Sequence, residues 1–129
     1  MKERNFLYFT AESGGSSRVA DNGTDKIYVD SLDNILQGKA VSFIKMDIEG
    51  AELKALYGCK NTLMKYKPKL AICVYHKKED IVEIPLYLHD VVPEYIFYMR
   101  HYLVRANETV LYAVTDCEMD STCHEGGRP

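Results

Sequence analysis

The sequence predicts an α/β domain built on a mostly parallel sheet whose last strand runs antiparallel. Three observations carry that expectation. Val41 to Ile44 is an apolar run, and Leu70 to Tyr75 is a continuous one, as suits a parallel strand covered on both faces. Segments with helical spacing lie between these runs and after the second. The two final strand-like segments, Tyr95 to Met99 and Thr109 to Val114, are joined by a connection too short for a crossover helix. They are therefore expected as antiparallel neighbours.

The elements follow in order. Asn5 to Thr10 forms a short strand, and Glu12 to Ser17 is loop chemistry. Asp21 to Thr24 is a turn before a second short strand, Lys26 to Val29. Asp30 or Ser31 caps a brief helix through Leu32, Ile35 and Leu36, which Gly38 ends. Val41 to Asp47 is the first strongly apolar strand. The helix after Gly50 places Leu53, Leu56 and Tyr57 on one face, and Gly58 breaks it. A further helix carries Leu63 and Met64 until Pro68 stops it. Glu79 to Val92 is helical in pattern, with Pro85 interrupting it or starting its main segment. Residues 1–115 make up the domain, and the polar residues 116–129 are expected to be a loose tail.

The chain has 129 residues, enough for one compact domain and too few for two ordinary ones. A net charge of −3 gives no electrostatic footprint for nucleic acid. The run Lys60, Lys65, Lys67, Lys69 interleaves with apolar residues and suits a solvated face. No apolar stretch approaches the ~20 residues that span a bilayer, so no membrane partner is expected. The four cysteines form no CxxC pair, and Cys73 sits in an apolar run as a buried thiol would. Reduced thiols in a cytoplasmic protein are expected. Cys117, Cys123 and His124 are too few to make a metal centre, and none is expected.

The segment Ile44 to Glu52 is the most informative. An apolar strand runs into Asp47 and Glu49, then a glycine, then a helix. Residues two apart on an extended chain point to one side, so a strand reaching Glu49 would project both carboxylates together. In open α/β sheets, ligands bind beyond the carboxyl ends of the strands. Two other strands end in polar groups at that edge, one in His76 and one in Arg100 and His101. Each has a plainer alternative. Asp47 could only cap the following helix, and Glu52 is expected to be structural in its first turn. His76 is a general base or a hydrogen-bonded residue at a strand end. Arg100 clamps an anion or pairs with a neighbouring carboxylate. Phosphate-binding and metalloprotease motifs are absent, and Gly14 to Ser17 fits a flexible loop beside the site better than a phosphate cradle.

Ile44-Lys45-Met46-Asp47-Ile48-Glu49-Gly50-Ala51-Glu52 resembles the signature segment of FkbM-type S-adenosylmethionine-dependent methyltransferases. Gly14 to Ser17 with Val29 to Asp33, then Lys67 to His76, then Tyr98 to Tyr102 with Glu108 to Ala113 resemble the same family in the same order. The resemblance covers about residues 5 to 114. It implies a seven-stranded Rossmann-like sheet with an antiparallel last strand, of which this chain matches the second half. The glycine-rich loop and the ribose-binding acid of such folds are not found here. The fold expected is thus a partial methyltransferase sheet lacking its N-terminal cofactor-binding strands, in a truncated chain.

The resemblance also implies an S-adenosylmethionine cofactor and a small-molecule or sugar acceptor methylated on oxygen. Asp47 and Glu49 would lie by the transferred methyl group and the acceptor, with Asp47 also on the cofactor. His76, Arg100 and His101 would face the same cleft, with Ser16 and Ser17 on the substrate side. Two competing functions remain. One is a non-catalytic module that pairs with another copy through the exposed edge of the Val41–Asp47 strand. The other is a magnesium- or manganese-dependent hydrolase built on Asp47, Glu49 and His76.

Overall fold

The computed structural model describes residues 5–11, 17–19, 25–102 and 108–116, with side chains described from residue 26. Two sheets are present. The first is a three-stranded antiparallel sheet of β1 (Asn5–Ala11), β2 (Ser17–Val19) and β3 (Asp25–Val29), in the order β2-β1-β3. The strand β2 begins at Ser17, the last residue of the expected loop, which pairs with Ala11 of β1. Pairing to a neighbour overrides the weak β-propensity of a serine-rich segment.

The second sheet carries the larger core. It contains β4 (Phe43–Met46), β5 (Lys69–Cys73), β6 (Ile96–His101) and β7 (Thr109–Val114), in the order β4-β5-β7-β6. β4 and β5 are parallel, and β7 runs antiparallel to both β5 and β6. Three strands therefore share one direction and the last runs against them. β5 is the central apolar strand: Leu70, Ala71, Ile72 and Cys73 are all buried. Cys73 is a free buried thiol, as its place in an apolar run predicts.

Four short helices connect these strands. α1 (Leu32–Leu36) is capped by Ser31, whose hydroxyl accepts from the Asn34 amide at 3.2 Å. It ends in a left-handed turn at Gln37 (φ 48°), one residue before the expected glycine. α2 (Glu52–Tyr57) buries Leu56 and Glu52, whereas Tyr57 is exposed. The expected apolar face is thus rotated, because the buried stripe includes a carboxylate. α3 (Lys60–Tyr66) buries Leu63 and leaves Met64 exposed. Lys60, Lys65, Lys67 and Lys69 are all exposed, as a solvated lysine run should be.

α4 (Asp80–Val91) continues through Pro85, which neither interrupts nor starts it. A proline inside a helix loses one backbone bond and crowds the carbonyl four residues back, a cost of about 3 kcal/mol. Tertiary packing offsets that cost. Ile84, Leu88 and Val91 fall on one helical face and are buried against the sheet. Each such side chain contributes about 1.5–3 kcal/mol on burial. They pack with Ile44, Met46, Leu70, Ile72, Val74 and Leu111 from the strands and with Leu56 and Leu63 from α2 and α3.

Asp33 ties α1 to α3. Asp33 of α1 accepts from the backbone amides of Asn61 and Thr62, each at 2.9 Å, and from the Thr62 hydroxyl at 2.6 Å. It serves α3 as a cap supplied from outside that helix. Burial raises the Asp33 carboxyl, but the hydrogen bonds from Thr62 and Asn61 overcome it and hold the group below its ordinary value. The segments Gly14 to Ser16, Arg105 to Asn107 and Cys117 to Pro129 lie outside the described residues.

Candidate functional site

At the carboxyl ends of β4 and β5, three carboxylates converge on His76. The chain leaves β4 after Met46, so Asp47 and Glu49 do not share a strand. Glu49 (φ 56°) and Gly50 (φ 90°) instead form a left-handed turn before α2. That conformation costs a non-glycine residue roughly 1–2 kcal/mol. It is the turn, and not strand alternation, that brings the carboxylates to one place. His76 Nε2 lies 3.5 Å from Asp47 Oδ1 and 3.6 Å from Glu49 Oε2. Gly50 is required here for its backbone, and a Cβ at that position would also meet Lys77 Cε at 3.1 Å.

Glu52 approaches the histidine from the other side. Its side chain is fully buried, and its Oε1 lies 3.0 Å from His76 Nδ1. The same oxygen accepts from the Ile48 amide at 2.9 Å, which pins the turn between β4 and α2. Although His76 Nδ1 and Glu52 are close, the pair lacks the geometry of a hydrogen bond: His76 Nδ1 and Glu52 Oε2 are both buried without a hydrogen-bond partner. Asp80, at the start of α4, is also buried with Oδ2 unpartnered. Its carboxyl is raised above its ordinary value by burial first and by the charge of Glu52 second.

Asp47 is half exposed and has a second partner in Tyr75, whose hydroxyl donates to Asp47 Oδ1 at 3.4 Å. Burial, then the Asp47 charge, pushes the Tyr75 phenol up to about 12, so it remains a donor near neutral pH. The Tyr75 and His76 rings lie 4.1 Å apart between centroids. The Cys73 thiol, pushed up to about 11 by burial and then by Asp47, stays protonated and unreactive.

Asp47 does not cap α2. That helix begins at Ala51 with no side-chain cap bond, and Glu52 takes the nearby Ile48 amide instead. Arg100 and His101 stand at the end of β6, with β7 between them and β5. They share the sheet edge with His76 but lie two strands away, roughly 10 Å at ordinary strand spacing. Arg100 stacks over the Tyr102 ring at 4.9 Å, and His101 Nδ1 pairs with Thr109 Oγ1 at 2.9 Å. Ser17 is on β2, and Ser16 lies outside the described residues.

Sequence reasoning read Glu52 as structural, and its bond to the Ile48 amide is of that kind. It did not name Tyr75 or Asp80 as members of this cluster. Tyr75 had a signal, since it lies two residues beyond Cys73 on an extended chain. Asp80 had none, because its burial depends on how α4 packs.

A hollow of about 470 Å³ opens beside the turn, lined by Val29, Asp30, Ser31, Leu32, Ile48, Ala51, Lys54, Ala55 and Gly58. Its volume is within the range of small-molecule sites. The donor atoms of Asp47, Glu52 and His76 all lie within 4.8 Å of one another, a spacing that a single cation can span. Among the described residues, no helix is long and apolar enough to cross a membrane.

Comparison with known proteins bears on this geometry. The methyltransferase FkbM domain matches residues 4–103. The crystal structure of methyltransferase FkbM from Methylobacillus flagellatus KT is 40% identical over 70% of this chain, with a TM-score of 0.66. The present chain spans 24% of that protein's length. Among curated proteins, none matches the sequence significantly.

Proposed function

This chain belongs to the FkbM methyltransferase family, and we propose that it serves the acceptor side of an S-adenosylmethionine-dependent O-methylation. The observation that carries this reading is the bracketing of His76 by Asp47 and Glu49 at the carboxyl edge of the sheet. The donor set suits the reaction. Half-exposed carboxylates favour a neighbouring sulfonium cation, and the Nε2 edge of His76 lies where a hydroxyl proton can be received.

When bound, the cofactor supplies an electrophilic methyl group, and Asp47 is the residue assigned to lie beside it. The chain's own groups do the rest. Glu52 and the Ile48 amide hold the turn that aims Asp47 and Glu49. Tyr75 holds the Asp47 carboxylate from the sheet side. His76 takes the acceptor proton, a role that typically contributes about 10²–10⁴-fold. Alignment of acceptor oxygen and methyl carbon supplies much of the remaining rate. The hollow beside Ile48 supports a small-molecule acceptor, and Arg100, His101, Ser16 and Ser17 are proposed to contact its outer parts. The free thiols Cys59 and Cys73 favour a reducing, cytoplasmic setting.

The test is a thermal-shift titration with S-adenosylhomocysteine, paired with transfer of labelled methyl from S-adenosylmethionine to hydroxyl-bearing acceptors. A ligand that binds only the native state must raise Tm. An unmoved Tm at millimolar ligand, with no label transferred, would overturn the proposal.

One observation favours a second reading. β4 is an edge strand of its sheet, and Phe43 on it is 55% exposed. An apolar edge invites pairing with a second copy. Light scattering that gives a monomer mass across a wide concentration range would remove this reading.

A further inference from the structure

We propose that Asp47, Glu52 and His76 form a binding site for a divalent cation of the manganese or magnesium class. The proposal concerns the ion alone: with a cation on His76 Nδ1 the ring carries its proton on Nε2, so the loaded site and the proton-accepting role of His76 are alternative states. Three observations point to it. First, Glu52 is fully buried and its Oε2 has no partner, while His76 is 10% exposed and its Nδ1 has none. Glu52 Oε1 accepts from the Ile48 amide, but leaving the buried Oε2 and Nδ1 atoms unpartnered is costly, and a cation supplies the missing interaction to both groups.

Second, the spacing fits two ligands of one ion, while His76 Nδ1 makes no hydrogen bond. Bonds of about 2.0–2.2 Å from a metal to nitrogen or oxygen place neighbouring ligands at right angles about 3 Å apart. His76 Nδ1 and Glu52 Oε1 are 3.0 Å apart without hydrogen-bond geometry. The Asp47 oxygen completes a set within 4.8 Å.

Third, the charge is unbalanced. Asp47, Glu49 and Glu52 surround one imidazole, and burial first and the Glu52 charge second raise the Asp80 carboxyl. Lys77 passes over Gly50, and its charge acts on Asp80 in the opposite sense, as a minor contribution. Two carboxylates and one imidazole suit manganese, which accepts oxygen ligands readily, and water would fill the remaining positions. Half-exposed Asp47 leaves one side open, so a hydroxyl-bearing ligand could reach the ion. Glu49 stays outside the ligand set.

The experiment is titration of the chelator-stripped full chain with Mn²⁺, following free Mn²⁺ by electron paramagnetic resonance. One ion per chain is expected, with Glu52→Gln and His76→Ala each weakening binding by about tenfold or more. Asp47→Asn changes a half-exposed residue and leaves the fold intact, so it keeps the test valid if a buried variant does not fold; it too must weaken binding about tenfold. Absence of bound Mn²⁺ at millimolar concentration overturns the site. So does equal binding by wild type and Asp47→Asn. Because the readout uses neither cofactor nor acceptor, its failure would leave the S-adenosylhomocysteine titration to stand or fall separately.

Discussion

Asp33 and the Asp47–Glu52 cluster both place carboxylates beside short helices, yet the two regions are built on opposite terms. Asp33 accepts three hydrogen bonds from α3 and is held below its ordinary pKa by them, against the effect of burial. In the cluster, Glu52 Oε2, His76 Nδ1 and Asp80 Oδ2 are buried without partners, and Glu49 sits in a left-handed conformation. A satisfied carboxylate contributes to stability. An orphaned carboxylate oxygen beside a strained turn costs stability, which is what a site completed by a ligand would show. On the proposed reading, the contrast separates structural from functional acids better than exposure does, since Glu52, the most buried acid among the described residues, is of the second kind.

Substitutions can break that contrast. The largest effect is expected from His76→Ala, which should lower methyl transfer about 10²–10⁴-fold while the chain still folds. Steady-state rates alongside circular dichroism check this, and an active His76→Ala would move the chemistry elsewhere. Next comes Gly50→Ala. At φ 90° an alanine is strained, so a loss of about 1–3 kcal/mol is expected in urea denaturation.

Asp33→Ala should cost about 1–2 kcal/mol, as loss of a helix cap does, and leave Mn²⁺ binding unchanged. Its pH dependence has a definite sign. The folded-state pKa of Asp33 is lowered, so its contribution is present above the unfolded value of about 3.9 and is lost as pH falls below it. Denaturation midpoints of wild type and Asp33→Ala should therefore converge with acidification. Divergence would show that the carboxylate is not the stabilising form.

Glu49→Gly is expected to act in the other direction. Relief of the left-handed strain should raise stability by about 1 kcal/mol, while removal of a carboxylate lowers turnover. A destabilised Glu49→Gly would mean that its contact with His76 outweighs the strain. The smallest effect belongs to Lys67→Met. The Lys67–Glu94 pair is 2.6 Å apart but exposed on both sides, and the denaturation midpoint should not move.

Much of the fold was legible in the residues. The apolar runs at β4 and β5 and the antiparallel pairing of β6 with β7 follow from continuous hydrophobicity and a short connection. Less legible was α4, where Pro85 argues against a continuous helix until Ile84 and Leu88 are seen to be buried around it. The site was half legible. Asp47, Glu49 and His76 were readable as polar ends of apolar strands, and they do meet. The reason expected for their meeting, alternation along one strand, is not the reason found.

The sequence by itself determined which segments are apolar enough to become central strands and which polar residues stand at their ends. Those are local properties, set by hydrophobic runs and by the residues that interrupt them. Tertiary structure decided the rest. The left-handed turn at Glu49 and Gly50, the burial of Glu52 beside His76, and the insertion of β7 between β5 and β6 depend on contacts between segments far apart in the chain. No local pattern encodes such contacts, because the burial of a side chain is a property of what packs against it.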